Sequence, residues 1–316
     1  MEQRTNRRGV TEHFVKSQHV NLQTLRKIHK NDYLCKDREN ENCLRLSSEN
    51  NIVPRYPAPV EFHVSKVAHV TTQTNMDGIL SSSGFKGKEG LVWWGLRIGQ
   101  EEINAAQERY LETLFPNRSP EQREAQQPFL QQFTTSPAFL DSSRYGNFCF
   151  SFQLDELMKT YQEQICGGQE PRLRVHKTVV YRQEIMYSVV VHSPEVEDFN
   201  EYQELHDNDA VCSYREGKII WRAQAMSGTH RFRLIQNHDE QHVEAEPACP
   251  PEYYMWDNIC LVFHIPEDKT FTFSPPEMLV NNLTACHIGS EPLSPSIPYD
   301  EAQKIVESKK LHKVSN

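Results

Sequence analysis

Residues His69 to Gly87, HVTTQTNMDGILSSSGFKG, put an imidazole at the end of a predicted strand and a hydroxyl two residues further on. A turn, a short helix and a glycine stop follow. Two jobs suit such a histidine. It can grip a ribose hydroxyl with Thr71 hydrogen-bonding beside it, or bond a loop carbonyl as an ordinary strand-end residue. Two further stretches hold groups that could complete a site. Ser142 to Phe152, SSRYGNFCFSF, offers the Arg144 cation and the rings of Tyr145 and Phe148, with Tyr161 at the end of the helix that follows. Pro251 to Asp257, PEYYMWD, offers the Glu252 carboxylate just ahead of the strand-like run NICLVFHI.

The elements that must position these groups are readable from periodicity. Val60-Glu61-Phe62-His63-Val64 alternates and begins a strand expected to run to about Val70, which makes His63 a rival of His69 on the same face. Asn75 to Leu80 reads as a brief helix stopped by Gly84. Ile103, Ala106, Tyr110, Leu111 and Leu114 mark a longer helix from about Glu101. FCFSF leads into the helix LDELMKTYQEQIC, stopped by Gly167-Gly168. Six more strand candidates follow: LRVHKTVVY, EIMYSVVVHSP, GKIIWRAQA, HRFRLIQ, YYMWDNICLVFHI and TFTFSP. Many strands with few helices, the helices gathered in the first half, predict an α+β fold with packed, mostly antiparallel sheets.

Composition narrows the class. A chain of 316 residues, 37% hydrophobic, can bury a substantial core. No run reaches the roughly 18 apolar residues of a membrane span, and the start, MEQRTNRRGVTEH, has no apolar signal core. An intracellular protein, cytoplasmic or nuclear, is the expectation. The eight cysteines show no C-x2-C or C-x4-C spacing, so they read as reduced, mostly buried thiols and no metal site is expected. Net charge is -9, with 10 Lys and Arg against 7 Asp and Glu in residues 1–50 and 24 against 36 beyond. An acidic body argues against broad phosphate-backbone binding as the main function. Neither a nucleotide-binding glycine motif, a G-x-S-x-G elbow nor an H-E-x-x-H helix occurs.

In this order the three motifs resemble those of the ADP-ribosyltransferase superfamily, in poly(ADP-ribose) polymerases and in toxins that modify thymidine in DNA. The family opens with a strand-end H-x-[ST], matched by His69-Val70-Thr71, then a helix of the form N-x-x-x-I-L and a glycine. A Tyr/Phe-rich strand leading into a helix comes second, and a glutamate followed by an aromatic comes third, matched by Glu252-Tyr253. The resemblance covers about residues 60–265 and implies a split two-sheet core that binds NAD as co-substrate. The wide separation of His69 from Tyr145 implies a helical insertion at about 90–132. It implies further that Glu252 stabilises the ribosyl cation and that His69, with Thr71, holds the ribose. Tyr145, Phe148 and Tyr161 compete to stack on nicotinamide, and Arg144, Arg222 or Arg231 would meet the diphosphate.

Each assignment has a plain competitor. Phe148, Phe150 and Phe152 alternate as core residues do, Tyr145-Gly146-Asn147 suits a turn, and Glu252 suits a solvated strand start. Glu184 and Glu195 are competing acids. Trp93-Trp94 suits packing of the insertion, and the Arg231/Arg233 alternation suits a solvated strand face. The expected organisation is a flexible polar arm (1–56, with a short helix near Val20 to His29), the domain (57–290) and a tail (291–316). The expected function is mono-ADP-ribosyl transfer to a protein or nucleic-acid acceptor, without a membrane partner. The competing class is an inactive fold of the same kind used as a binding or scaffold module.

Overall fold

The run from Val60 to about Val70, expected as one strand, breaks at Ser65 and feeds two sheets. Val60–Val64 joins one and Lys66–Thr71 another, while the Ser65 carbonyl accepts the backbone N–H of Leu154 at 2.7 Å. His63 and His69 therefore do not share a strand face, and His63 instead bonds Glu61 at 2.8 Å.

The computed structural model describes residues 2–5, 11–16, 60–181, 184–223, 225–227, 229–253, 256–289 and 292–311. In chain order the strands begin with β1 (Glu2–Thr5), β2 (Thr11–Lys16), β3 (Val60–Val64), β4 (Lys66–Thr71), β5 (Gly84–Phe85) and β6 (Leu91–Arg97). They continue with β7 (Ser142–Ser143), β8 (Phe148–Gln153), β9 (Arg172–Tyr181), β10 (Glu184–His192), β11 (Cys212–Arg215) and β12 (Lys218–Ala223). The last are β13 (Thr229–Asn237), β14 (His242–Tyr253), β15 (Trp256–His264), β16 (Phe271–Thr272), β17 (Leu283–Ala285) and β18 (His287–Ile288). The helices are α1 (Gln73–Ser81), α2 (Gln100–Leu114), α3 (Pro120–Ala125), α4 (Leu154–Gln164), α5 (Glu277–Asn281) and α6 (Tyr299–Leu311).

Nine strands form the main sheet in the order β1-β2-β9-β10-β15-β6-β4-β8-β17, antiparallel except where β10 runs parallel to β15. A three-stranded sheet, β11-β12-β3, packs beside it and carries α2 against β3. With six helices among the described residues, this is an α+β architecture of mostly antiparallel sheets. All six late strand candidates contain strands. Among the described residues no helix is long and apolar enough to cross a membrane.

Alternation decides which face of the main sheet is core. In β6, Val92, Trp94 and Leu96 are buried while Leu91, Trp93, Gly95 and Arg97 are half-buried. Trp94 joins Phe85, Phe152 and Phe263 in an edge-to-face aromatic layer with centroids 5.0 to 6.3 Å apart. Helix α4 covers this layer with Leu154, Leu157, Met158 and Tyr161, the one-face spacing of an amphipathic helix.

Three stretches differ from their sequence reading. The 90–132 segment contains α2 and α3 but opens with β6, a central strand, so Trp93 and Trp94 belong to the main sheet. Parts of the 1–56 segment form β1 and β2, which extend the sheet beyond β9, whereas Val20 to His29 lies outside the described residues. Half of the 291–316 segment is helix α6, seated by Ala302 and Val306 and tied to α1 by a Lys309–Asp77 ion pair of 2.7 Å.

Candidate functional site

The strands of the first two motifs come together, and the end of the third opens a strand close by. β4 lies between β6 and β8, and β15 lies on the far side of β6, so residues from the 60s, the 150s and the 260s sit within four adjacent strands. The ladder between β4 and β6 is short: Lys66, Val67 and Ala68 pair with Arg97, Leu96 and Gly95, and there it stops. β4 continues to pair with β8 through Thr71. A gap thus opens between the end of β4 and the start of β6.

His69 occupies that gap. Its Nδ1 donates to the Trp93 carbonyl at 2.9 Å, a side-chain bond where a ladder bond would otherwise run. The ring sits 5.1 Å from Phe85 and 5.6 Å from Trp94. Burial lowers its pKa from the ordinary value, against the smaller raising effect of the Trp93 bond. The imidazole is neutral at pH 7, with Nδ1 carrying the proton and Nε2 a lone pair.

On the face away from the aromatic layer, a row of short side chains crosses five strands. Ser188 pairs with Cys260, Cys260 with Gly95, Gly95 with Ala68 and Ala68 with Ser151. On this face the Lys177 ammonium of β9 lies 5.5 Å from the Trp93 ring centroid of β6, two long side chains meeting above the short ones between them.

Towards the starts of β10 and β15 a second cation stands on a second indole. The Arg144 guanidinium stands 5.6 Å from the Trp256 ring centroid and is ion-paired with Glu184, which is 2% exposed. Asn258 Nδ2 donates to the other Glu184 oxygen at 2.8 Å. Glu184 and Trp256 are register partners at the starts of parallel β10 and β15. Burial pushes the nearby Cys260 thiol up to about 12, with the Arg144 charge opposing, so this cysteine stays protonated and is no nucleophile.

Gly146 delivers Arg144 to this place. The loop presses on the end of β4 so closely that a Cβ on Gly146 would fall 2.1 Å from the Thr71 carbonyl oxygen, and its φ of 138° is one side chains rarely adopt. Asn147 anchors the same loop, donating to the Cys286 carbonyl at 3.2 Å and accepting from the Ile297 N–H at 2.9 Å.

The other predicted site residues are dispersed. Thr71 is buried beneath that loop, and Tyr145, on the loop, is exposed. Phe148 is buried opposite Thr71. Tyr161 is fully buried, its ring 5.0 Å from Phe263 and its hydroxyl donating to the His264 carbonyl at 2.6 Å, so it offers no open stacking face. Arg222 belongs to the smaller sheet, 3.6 Å from Glu61, and Arg231 is exposed on β13. Glu195 is exposed. Glu252 lies on β14, its backbone opposite His230 in the β13-β14 ribbon, rather than at the start of β15; its side chain lies outside the described residues.

Trp93, Lys177, Trp256 and Asn258 were not singled out as site residues by the sequence. Only the pairing of distant strands brings them onto one sheet. Among the described residues, Cys149, Cys166, Cys212, Cys260 and Cys286 are buried free thiols. No family model, curated protein or solved structure matches this chain.

Proposed function

We propose that this chain is an NAD-dependent mono-ADP-ribosyltransferase acting on a macromolecular acceptor, protein or nucleic acid. One observation carries the reading. The strands of the first two motifs, β4 and β8, are neighbours in the main sheet, and β15, which the third motif's Trp256 and Asp257 open, lies two strands from β4. One face of this sheet carries two indoles and two cations, while His69 stands on the other face and Glu252 on the separate β13-β14 ribbon. Indole faces suit planar bases and cations suit a diphosphate, which is the chemistry a dinucleotide asks for. The neutral His69 has Nε2 to accept a ribose hydroxyl. A carboxylate beside the scissile carbon offsets the positive charge that develops as the nicotinamide bond breaks. Glu252 is the motif's acid, and Glu184 is the acid set beside Arg144 and Trp256.

The test is NAD consumption by the full chain and by Glu252→Gln, Glu184→Gln and His69→Ala. Loss of at least about a hundredfold in one acid variant identifies the carboxylate. Equal rates in all four proteins would remove both acids and the imidazole from the mechanism.

A second reading, a binding module without turnover, is favoured by one specific contact. Glu184 neutralises Arg144, and a carboxylate so engaged is not poised to stabilise a cation. Tight retention of a non-hydrolysable NAD analogue without NAD turnover would select this reading.

A further inference from the structure

We propose that Arg144 is a ligand-displaced latch: Glu184 holds its guanidinium over Trp256, and a diphosphate-bearing ligand draws it away, uncovering both the carboxylate and the indole face. The proposal rests on the reading above only in naming a diphosphate as the natural anion.

Three features separate this pair from an ordinary structural ion pair. It lies on the sheet face opposite the aromatic layer where the apolar side chains of β6, β8 and β15 meet. Arg144 belongs to a connecting loop, whereas its partners Glu184, Trp256 and Asn258 stand on the rigid starts of two paired strands. The loop is pinned just beyond the arginine: Gly146 against Thr71, Asn147 against Cys286 and Ile297. A long side chain on a fixed base can swing while its backbone stays. The backbone carbonyl of Arg144 is itself held, accepting from the Leu293 N–H at 2.7 Å.

The exchange is chemically balanced. A guanidinium presents several N–H donors in a plane and pairs with carboxylate or phosphate oxygens in the same geometry, so a diphosphate is a like-for-like replacement carrying more charge. Asn258 stays on Glu184 and keeps one of its oxygens bonded after the arginine leaves. What opposes the exchange is the buried carboxylate left without its cation. Removing that negative charge while keeping the shape removes the opposition, and this predicts a direction that a purely structural pair does not share.

The experiment is calorimetric titration of the full chain with inorganic pyrophosphate. Glu184→Gln, which keeps the size and an acceptor oxygen, is expected to bind at least about tenfold more tightly than wild type, and Arg144→Gln to lose binding. Equal affinity in wild type and Glu184→Gln, or undiminished affinity in Arg144→Gln, overturns the latch. Should Glu184→Gln not fold, wild type labelled with 15N-arginine carries the test. Pyrophosphate must shift the Nε–H signal that Arg144→Gln deletes, and an unmoved signal at saturation overturns the proposal. NAD consumption in the same proteins reports separately on the transferase reading, so failure of one is distinguishable from failure of the other.

Discussion

His69 and Trp93 are joined by a side chain where their strands are no longer joined by backbone. The imidazole Nδ1 donates to the Trp93 carbonyl at 2.9 Å one residue past the last β4-β6 pair, Ala68 with Gly95. The contact has a structural share and a chemical share, and substitution separates them. His69→Ala should cost about 1–3 kcal/mol of stability, from the lost bond and the lost ring packing. His69→Gln keeps an N–H for the carbonyl and should recover most of that loss. Neither variant retains an imidazole Nε2, so both should fall at least about tenfold in NAD consumption under the proposed function. Full turnover in the glutamine variant would assign His69 to scaffolding alone.

Tyr161 is expected to behave as a core residue. Its hydroxyl spans two strands, donating to the His264 carbonyl at 2.6 Å, with the Val191 carbonyl at 3.3 Å, and burial raises its pKa well above the phenol range. Tyr161→Phe should lower stability by about 1–2 kcal/mol in urea unfolding, because two strand-end carbonyls lose a buried donor. NAD affinity should be unchanged. A large affinity loss with unchanged stability would place the ring in a binding site after all.

Gly146→Ala should be among the more damaging single methyl additions to this chain. The new Cβ meets backbone, not a flexible side chain, 2.1 Å from the Thr71 oxygen, and the residue already has φ of 138°. Loop or strand must move, at a cost of about 3 kcal/mol. Since Arg144 is carried by the same loop, the urea midpoint and pyrophosphate affinity should fall together. An alanine variant as stable as wild type would contradict the close packing of loop on strand.

Much of the fold was legible because burial is one-sided. β6 alternates with a buried Trp94 and a half-buried Trp93, and α4 shows its four buried residues at helical spacing, so periodicity located both. The corner is marked in VEFHVSKVAHVT only by Ser65-Lys66, where the apolar phase passes from Val60, Phe62 and Val64 to Val67, and it forms because each half finds a different partner strand. β14 hid for another reason. HVEAEPACPPEY carries three prolines, which speak against a strand, and the strand tolerates them because it pairs on one side only, with β13. That is also why Glu252 read as the opening of β15. The site was legible in part: the motif strands could be named, and Arg144 with them. Glu184 could be named only as a rival acid, and its meeting with Arg144, Trp256 and Asn258 could not be read, because the register of two strands far apart in sequence sets them together.

Acid should loosen the chain from the segment around Phe199. Three imidazoles surround this ring: His192 at 5.1 Å, His264 at 5.0 Å and His176 at 6.2 Å between centroids. His192 is fully buried, its Nδ1 on the Ser193 carbonyl at 2.8 Å and its Nε2 accepting from Arg174 at 3.1 Å, an arrangement that only the neutral ring can make. Burial first, and then the charges of Arg174 and Arg172 with His264, lower its pKa against the Ser193 bond. Burial lowers that of His264 too, with Asp198 opposing. Glu204 faces Arg174 at 3.2 Å, and Tyr202 packs on His176 at 4.9 Å. A histidine whose folded pKa is depressed binds its proton more readily when unfolded. Stability is therefore complete above the unfolded value near 6.5 and falls as the pH drops below it, until the folded pKa is passed. The melting temperature should decline between about pH 7.5 and about pH 5.5, with hydrogen exchange accelerating first in residues 193–205. His192→Asn, which keeps one donor and one acceptor but cannot protonate, should flatten that decline. An identical pH profile in the variant would show that the acid response arises elsewhere.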